Sequence, residues 1–141
     1  MHPIHLGKIV RNCWEGVATE QASLEIADEI IIHGDNDRLR HVFENLFRNA
    51  VEHAGKGVTV KVGYTGHDCL YVEDNGGGIP PNKREVVLEA GHTSASGGTG
   101  FGLSIVNRIA EAHGWDVNVS ESETGGARFE FTGVTIEKAD Q

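Results

Sequence analysis

Asn45-Leu46-Phe47-Arg48-Asn49-Ala50, then Asp74-Asn75-Gly76-Gly77-Gly78-Ile79-Pro80, then Gly97-Gly98-Thr99-Gly100-Phe101-Gly102-Leu103-Ser104 follow one another along this chain, and their reading decides its fold. The first places two amide side chains four residues apart, one turn above the other on one helix face. The second sets a carboxylate against a glycine turn. The third is a glycine run that opens a helix. Around the first, Leu39, Val42, Phe43, Leu46, Phe47 and Ala50 recur at helical spacing. The asparagines therefore ride on an amphipathic helix that runs to about His53. Asp35 stands where a cap belongs, and Gly55 and Gly57 stop the helix.

Further outward, Leu6, Ile9, Val10, Cys13, Trp14 and Val17 predict an opening amphipathic helix. Ala22 to Ala27 and Ile30 to His33 read as two short strands around a turn at Asp28-Glu29. Val58 to Tyr64 and Cys69 to Glu73 form a hairpin across Thr65-Gly66-His67-Asp68. Residues 76–100 are rich in Gly, Ser and Pro, with a short helical stretch near Lys83 to Glu89; such a segment in a compact domain is a lid or binding loop. Gly100 to His113 is a helix with Leu103, Val106, Ile109 and Ala110 on its apolar side, stopped by Gly114. Trp115 to Ser120 and Ala127 to Val134 make a closing hairpin around Thr124-Gly125-Gly126, and 135–141 is expected to be a disordered tail. This order of strands and three helices fits an α/β (α+β) two-layer sandwich.

The 141 residues make one domain, here taken as 1–134, long enough for a substantial core. No apolar run approaches the length that spans a bilayer. A formal net charge of −9, with five lysines, repels nucleic acid and anionic lipid, so neither is an expected partner. Cys13 and Cys69 read as free thiols, and the eight histidines show no metal spacing.

Each chemical segment has a plain alternative when taken alone. Asn45 and Asn49 could be solvated helix residues, although asparagine is mildly unfavourable within a helix. An amide oxygen is also a neutral, hard ligand suited to Mg²⁺, which keeps several waters and takes other oxygens from phosphate. Asp74 could close a simple Asp-Gly turn. It could equally accept a hydrogen bond from an exocyclic amine, with glycines letting a flat base approach and Ile79-Pro80-Pro81 forming an apolar wall. Gly98 to Gly102 offers free N–H groups and the positive end of a helix dipole to an anion. It is neither a Walker loop nor a dinucleotide fingerprint, because no Gly-Lys-[Ser/Thr] follows and no strand leads into it.

Taken together and in this order, the segments resemble the ATP-binding catalytic domain of sensor histidine kinases. That family belongs to the superfamily that also holds DNA gyrase, the Hsp90 chaperone and MutL. The resemblance runs from about His33 to Phe131. It implies a Bergerat-type fold: a mixed, mostly antiparallel sheet, three helices on one face and a lid over 76–100. The asparagine helix matches the N box, Asp74 to Gly78 the first glycine box and Gly98 to Gly102 the second. Gly125-Gly126-Ala127-Arg128-Phe129 resembles the closing glycine box, and Leu88-Glu89-Ala90-Gly91-His92-Thr93 stands at the F box.

What the resemblance implies for the site follows residue by residue. Asn49 would hold Mg²⁺, with Asn45 a second candidate beside the phosphates. Asp74 would read the adenine amine, helped by Gly76, Gly78 and Ile79. His53 stands where a ring commonly lies on the base, although outside the resemblance it is equally a histidine favoured at a helix C-terminus. Gly98, Thr99, Gly100, Phe101, Gly102 and Leu103 would cradle the phosphates, with Thr93 nearby in the lid. Four positions depart from the family pattern. Glu52 replaces a common lysine, and the lid has no Lys or Arg from Glu85 to Phe101. Leu88 stands in for the F-box phenylalanine, and Ala127 replaces a hydroxyl residue. These imply modest ATP affinity and a loose lid.

The superfamily's hydrolases place a glutamate general base where this chain has Asn45, and Glu44 is turned about 100° away around the helix. The resemblance therefore implies a kinase with cofactors ATP and Mg²⁺. Its phosphoacceptor histidine would lie on a dimerisation domain, and a response regulator would be engaged through that domain. His5-Leu6-Gly7-Lys8 does not match the acceptor motif, so residues 1–20 are expected to be the tail of a linker helix, and no catalytic residue is assigned with certainty within this chain. The isolated domain is expected to be monomeric and cytoplasmic, with no direct membrane contact of its own, a membrane-anchored parent remaining compatible. Two alternatives stay open: a stand-alone anti-sigma-type serine kinase or switch protein of the same superfamily, and a degenerate docking module.

Overall fold

Two apolar periods, one of helices and one of strands, meet across a single core. The computed structural model describes residues 2–16, 22–54, 57–76, 103–122 and 125–138, with side chains left out at 52–54 and 103–104. Its helices are α1 (Leu6–Glu15), α2 (Asn36–Ala54) and α3 (Leu103–Ala112). Its strands are β1 (His2–His5), β2 (Ser23–Ile26), β3 (Ile30–Gly34), β4 (Thr59–Thr65), β5 (Cys69–Asp74), β6 (Asp116–Glu121), β7 (Ala127–Thr132) and β8 (Ile136–Lys138).

The larger sheet has the order β2-β4-β5-β7-β6, with β2 parallel to β4 and the other pairs antiparallel. Alternation along the strands turns Val60, Val62, Leu70, Val72, Phe129 and Phe131 into the core. The α2 stripe of Leu39, Val42, Phe43, Leu46, Phe47 and Ala50 is buried in that core, as its period predicts. Phe47 meets Trp14 edge-on at 5.2 Å and stacks with Phe43 at 6.0 Å, which joins α1 to α2. On the opposite sheet face, Arg128 bonds Glu73 at 2.5 Å and Glu130 at 2.7 Å, and its guanidinium lies 4.1 Å from the Tyr71 ring centroid. Tyr71 in turn lies across Gly63, where a Cβ would meet its phenol oxygen at 2.7 Å.

Both expected hairpins, the asparagine helix and the closing helix are present. Asp35 caps α2, its Oδ1 accepting the Arg38 N–H at 3.1 Å. That bond is the main cause holding its carboxyl below the ordinary value. At the same end of the helical layer, Gly114 (φ +78°) closes α3 in a Schellman turn: its N–H reaches the Glu111 carbonyl, and that of Trp115 reaches Ala110.

Three expectations need correction. The strands expected around Asp28-Glu29 exist but do not pair with each other. β2 continues the β4 ladder, with Ala27 N–H on the Val62 carbonyl at 2.8 Å, whereas β3 lies in a separate sheet of order β1-β3-β8. The opening helix is preceded by a strand, His2–His5, paired antiparallel to β3. The segment expected as a disordered tail begins with β8, whose Ile136–Lys138 pairs with Ile30–Ile32 and whose Glu137 forms an ion pair with His33. The pairing of short strands such as these is decided by distant partners rather than by their own composition. Val17, the short helix near Lys83 to Glu89 and residues 139–141 lie outside the described residues.

Truncating the aromatic centre tests this core. Phe47→Ala should cost about 3–5 kcal/mol, read as a lowered urea midpoint at unchanged slope.

Candidate nucleotide site

Chain direction brings the end of β5 and the start of β4 to one corner of the larger sheet. β5, the central strand of its sheet, ends at Asp74. α2 stops at Ala54, five residues before β4, whose start lies beside that strand end in the Val60–Asp74 register. The Asn75 side chain fixes this corner by accepting the Thr59 N–H at 2.8 Å. At the far end of α2, His113 Nε2 accepts the Asp35 N–H at 3.0 Å, tying the end of α3 to the start of α2. The two helices are thus antiparallel neighbours. At about 1.5 Å per residue, the ten residues of α3 place its first turn alongside the Asn45–Asn49 stretch of α2.

The two asparagines differ in state. Asn45 is half-buried, and its Nδ2 donates to the His41 carbonyl of its own helix at 2.7 Å. Asn49 is 6% exposed, and its Oδ1 is buried without a hydrogen-bond partner among the described residues. A buried orphan acceptor is costly unless something else satisfies it. A hard cation fits that oxygen. Among the described residues no three His, Cys, Asp or Glu side chains converge to hold a metal. A cation here would therefore rest on the amide together with oxygens from phosphate and water.

Asp74 is 8% exposed and clamped by the hairpin that joins β6 to β7. Its Oδ1 accepts the Gly76 N–H at 2.9 Å and the Ala127 N–H at 3.2 Å. Its main-chain carbonyl accepts the Ser122 hydroxyl at 2.8 Å. Gly126 lies so close that a Cβ there would stand 2.1 Å from the Asp74 carbonyl oxygen and 2.4 Å from Oδ1. Burial raises the Asp74 pKa above its ordinary 3.8, aided by Glu73, and the N–H bonds from Gly76 and Ala127 oppose the rise without cancelling it.

Of the residues expected at the site, the structure describes Asn45, Asn49, Asp74 and Gly76 in full, and His53 and Leu103 as backbone positions on α2 and α3. Gly78, Ile79, Thr93, Gly98, Thr99, Gly100, Phe101 and Gly102 lie outside the described residues, as does the side chain of Glu52. Ser122 and Gly126 belong with Asp74 but were not among the site residues read from sequence. Gly126 was legible within the closing glycine box. Ser122 follows the end of β6 and acquires its role only through the cross-strand register.

The family model for histidine kinase-, DNA gyrase B- and HSP90-like ATPases matches residues 34–135, which spans all these elements. The chain belongs to this ATPase family. The sensor histidine kinase ZraS of Salmonella typhi is 33% identical over 140 residues, covering 92% of this chain and 30% of the relative. The sensor protein RstB of Escherichia coli is 40% identical over 101 residues, covering 67% of this chain and 23% of the relative. The chain thus spans a third or less of these relatives' length. The mycobacterial sensor histidine kinase MprB shares the fold, with a TM-score of 0.79 at 24% identity, over 99% of this chain and 100% of that one. So does the ATP-binding domain of PrrB from Mycobacterium tuberculosis, with a TM-score of 0.71 at 24% identity, over 99% and 98%. The domain corresponds to the ATP-binding catalytic part of sensor histidine kinases.

Because Gly126 is packed against backbone, Gly126→Ala should destabilise the domain by about 1–3 kcal/mol. It should also displace Asp74, so that calorimetric melting and nucleotide titration worsen together.

Proposed function

We propose that this domain binds Mg-ATP and presents its γ-phosphoryl group to a histidine on a separate dimerisation domain of the same kinase. The observation that carries the reading is the presence of two unusual buried groups: Asn49 Oδ1 on α2, without a hydrogen-bond partner among the described residues, and the clamped Asp74 carboxylate at the end of β5. Among the described residues, both backbone donors to Asp74 fall on Oδ1, and Oδ2 would accept from the adenine amine. Asn49 would hold Mg²⁺, which when bound neutralises phosphate charge and aligns the transferred group. The first turn of α3 adds helix N–H groups on the phosphate side. At net charge −9 the protein's own field opposes ATP at long range, so these local groups must supply the attraction.

The state of Asn45 favours a kinase over a hydrolase. Its amide is bonded back to His41, and an amide cannot take a proton from water as a glutamate would. The base for transfer would then come from the acceptor domain. A response regulator would be met through that domain, and the catalytic domain by itself would be monomeric. None of the described helices is long and apolar enough to cross a membrane; a cytoplasmic setting is part of the proposal.

Calorimetric titration with ADP and a non-hydrolysable ATP analogue, with and without Mg²⁺, tests the site. One-site binding that strengthens with Mg²⁺ is expected. Asn49→Ala should abolish the Mg²⁺-dependent gain. Asp74→Asn should lower the preference for adenine over guanine by about 10–100-fold, the worth of a hydrogen bond to a charged group. Unchanged binding in both variants would overturn the assignment.

Acidity separates the fold from its function. With the Asp74 pKa raised in the folded state, its protonated form favours folding. That contribution is complete below 3.8 and is lost as pH rises through the raised value. The adenine contact needs the carboxylate and has the opposite dependence. Adenine affinity should therefore fall as pH drops through the raised value, while the melting temperature of Asp74→Asn relative to the parent rises with pH across the same window.

A further inference from the structure

The β5–β7 ladder stops at the Glu73–Arg128 pair, one residue short of Asp74. Beyond that point a side chain continues the work of the ladder. Ser122 is 5% exposed and stands just after β6. Its hydroxyl donates to the Asp74 carbonyl and accepts the Gly126 N–H, both at 2.8 Å. Its own backbone exchanges with the same turn: Ser122 N–H donates to the Gly126 carbonyl at 2.8 Å, and Gly125 N–H donates to the Ser122 carbonyl at 3.0 Å. One hydroxyl therefore links three pieces of chain: the end of β5, the end of β6 and the glycine that lets the hairpin touch Asp74.

The hairpin has a task beyond closing the sheet. Ala127, the residue after Gly126, sends its N–H to the Asp74 carboxylate. The position of that N–H follows from where Gly126 is held, and Ser122 holds Gly126. Position 127 itself has only a methyl group and cannot reach the carboxylate by side chain. The hydroxyl at Ser122 thus fixes both the main chain of Asp74 and the donor that orients its carboxylate.

We infer that Ser122 is a positioning residue that sets the selectivity of this site for adenine, acting through Asp74 and touching no nucleotide itself. The inference rests on the proposal that Asp74 reads the adenine amine, and deepens it. Without the hydroxyl, the Asp74 carbonyl and the Gly126 N–H lose a shared partner inside a tight contact. The two then separate, and the carboxylate is no longer aimed.

The test is titration of the 141-residue chain and its variants with Mg-ADP and Mg-GDP, beside calorimetric melting. Ser122→Ala should reduce the ADP-to-GDP affinity ratio by about tenfold, with the Mg²⁺-dependent gain retained. Ser122→Thr, which keeps the hydroxyl, should restore the ratio to within about twofold, less than the worth of one hydrogen bond. Should Ser122→Ala fail to fold, Ser122→Cys keeps the size with only a weak donor and should show the same loss. In the Asp74→Asn background, Ser122→Ala should leave the ratio unchanged, because the group it aims has gone. A purely structural role would lower the melting temperature and weaken both nucleotides equally, which would overturn the inference. An unaltered ratio in Ser122→Ala or Ser122→Cys, with Asp74→Asn still losing discrimination, would overturn it while leaving the role of Asp74 standing. An unaltered ratio in Asp74→Asn itself would remove that role, and the inference with it.

Discussion

The absence of a side chain at Gly126 is the constraint on which the site depends. Only a residue without a Cβ can bring the β6–β7 hairpin this near to the end of β5. That approach lets the Ala127 N–H join the Gly76 N–H on a carboxylate that burial would otherwise make expensive, while the Ser122 hydroxyl holds the Asp74 main-chain carbonyl. The opposite face of the sheet supports the same corner. Arg128 and Glu73, register partners immediately beside the clamp, are joined through a half-buried ion pair, and Tyr71 packs beneath the guanidinium. The sheet is tied on both faces at the point where the carboxylate must hold still.

Electrostatics at the site runs against the protein as a whole. An acidic chain is a poor long-range receptor for a polyphosphate, so the proposed site would have to rely on neutral and dipolar groups at short range. The amide of Asn49 offers an oxygen without adding negative charge, and helix N–H groups offer partial positive charge without lysine. Screening by salt weakens the opposing field more than it weakens these close contacts.

The N box and the first and closing glycine boxes were legible because their chemistry is local: amide spacing on a helix, a carboxylate before glycines and a glycine turn between strands each leave a short pattern. The long stripe of α2, from Leu39 to Ala50, was legible for the same reason. What escaped was pairing between distant segments. Nothing within Ser23–Ile26 and Ile30–Gly34 says that these neighbours belong to different sheets, because both are short strands of ordinary β composition. Ile136–Lys138 is a strand only because Ile30–Ile32 offers it an edge. Ser122 escaped likewise: its hydroxyl matters through a register that brings it to Asp74, forty-eight positions away in the chain.

The joint at His113 has a consequence for where this domain is vulnerable. Gly34 has no room for a Cβ, since one would lie 2.7 Å from Leu39 and 3.2 Å from the imidazole, and the imidazole rests on Trp115 at 4.6 Å. Gly34, Leu39 and His113 thus lock α2, the helix that bears the asparagines, against the C-terminal end of α3, at the end remote from Asn49. The spacing of α2 and α3 is held from this remote joint. If the domain binds nucleotide as proposed, a screen for variants with weakened affinity would return Gly34 and His113 alongside Asn49 and Asp74.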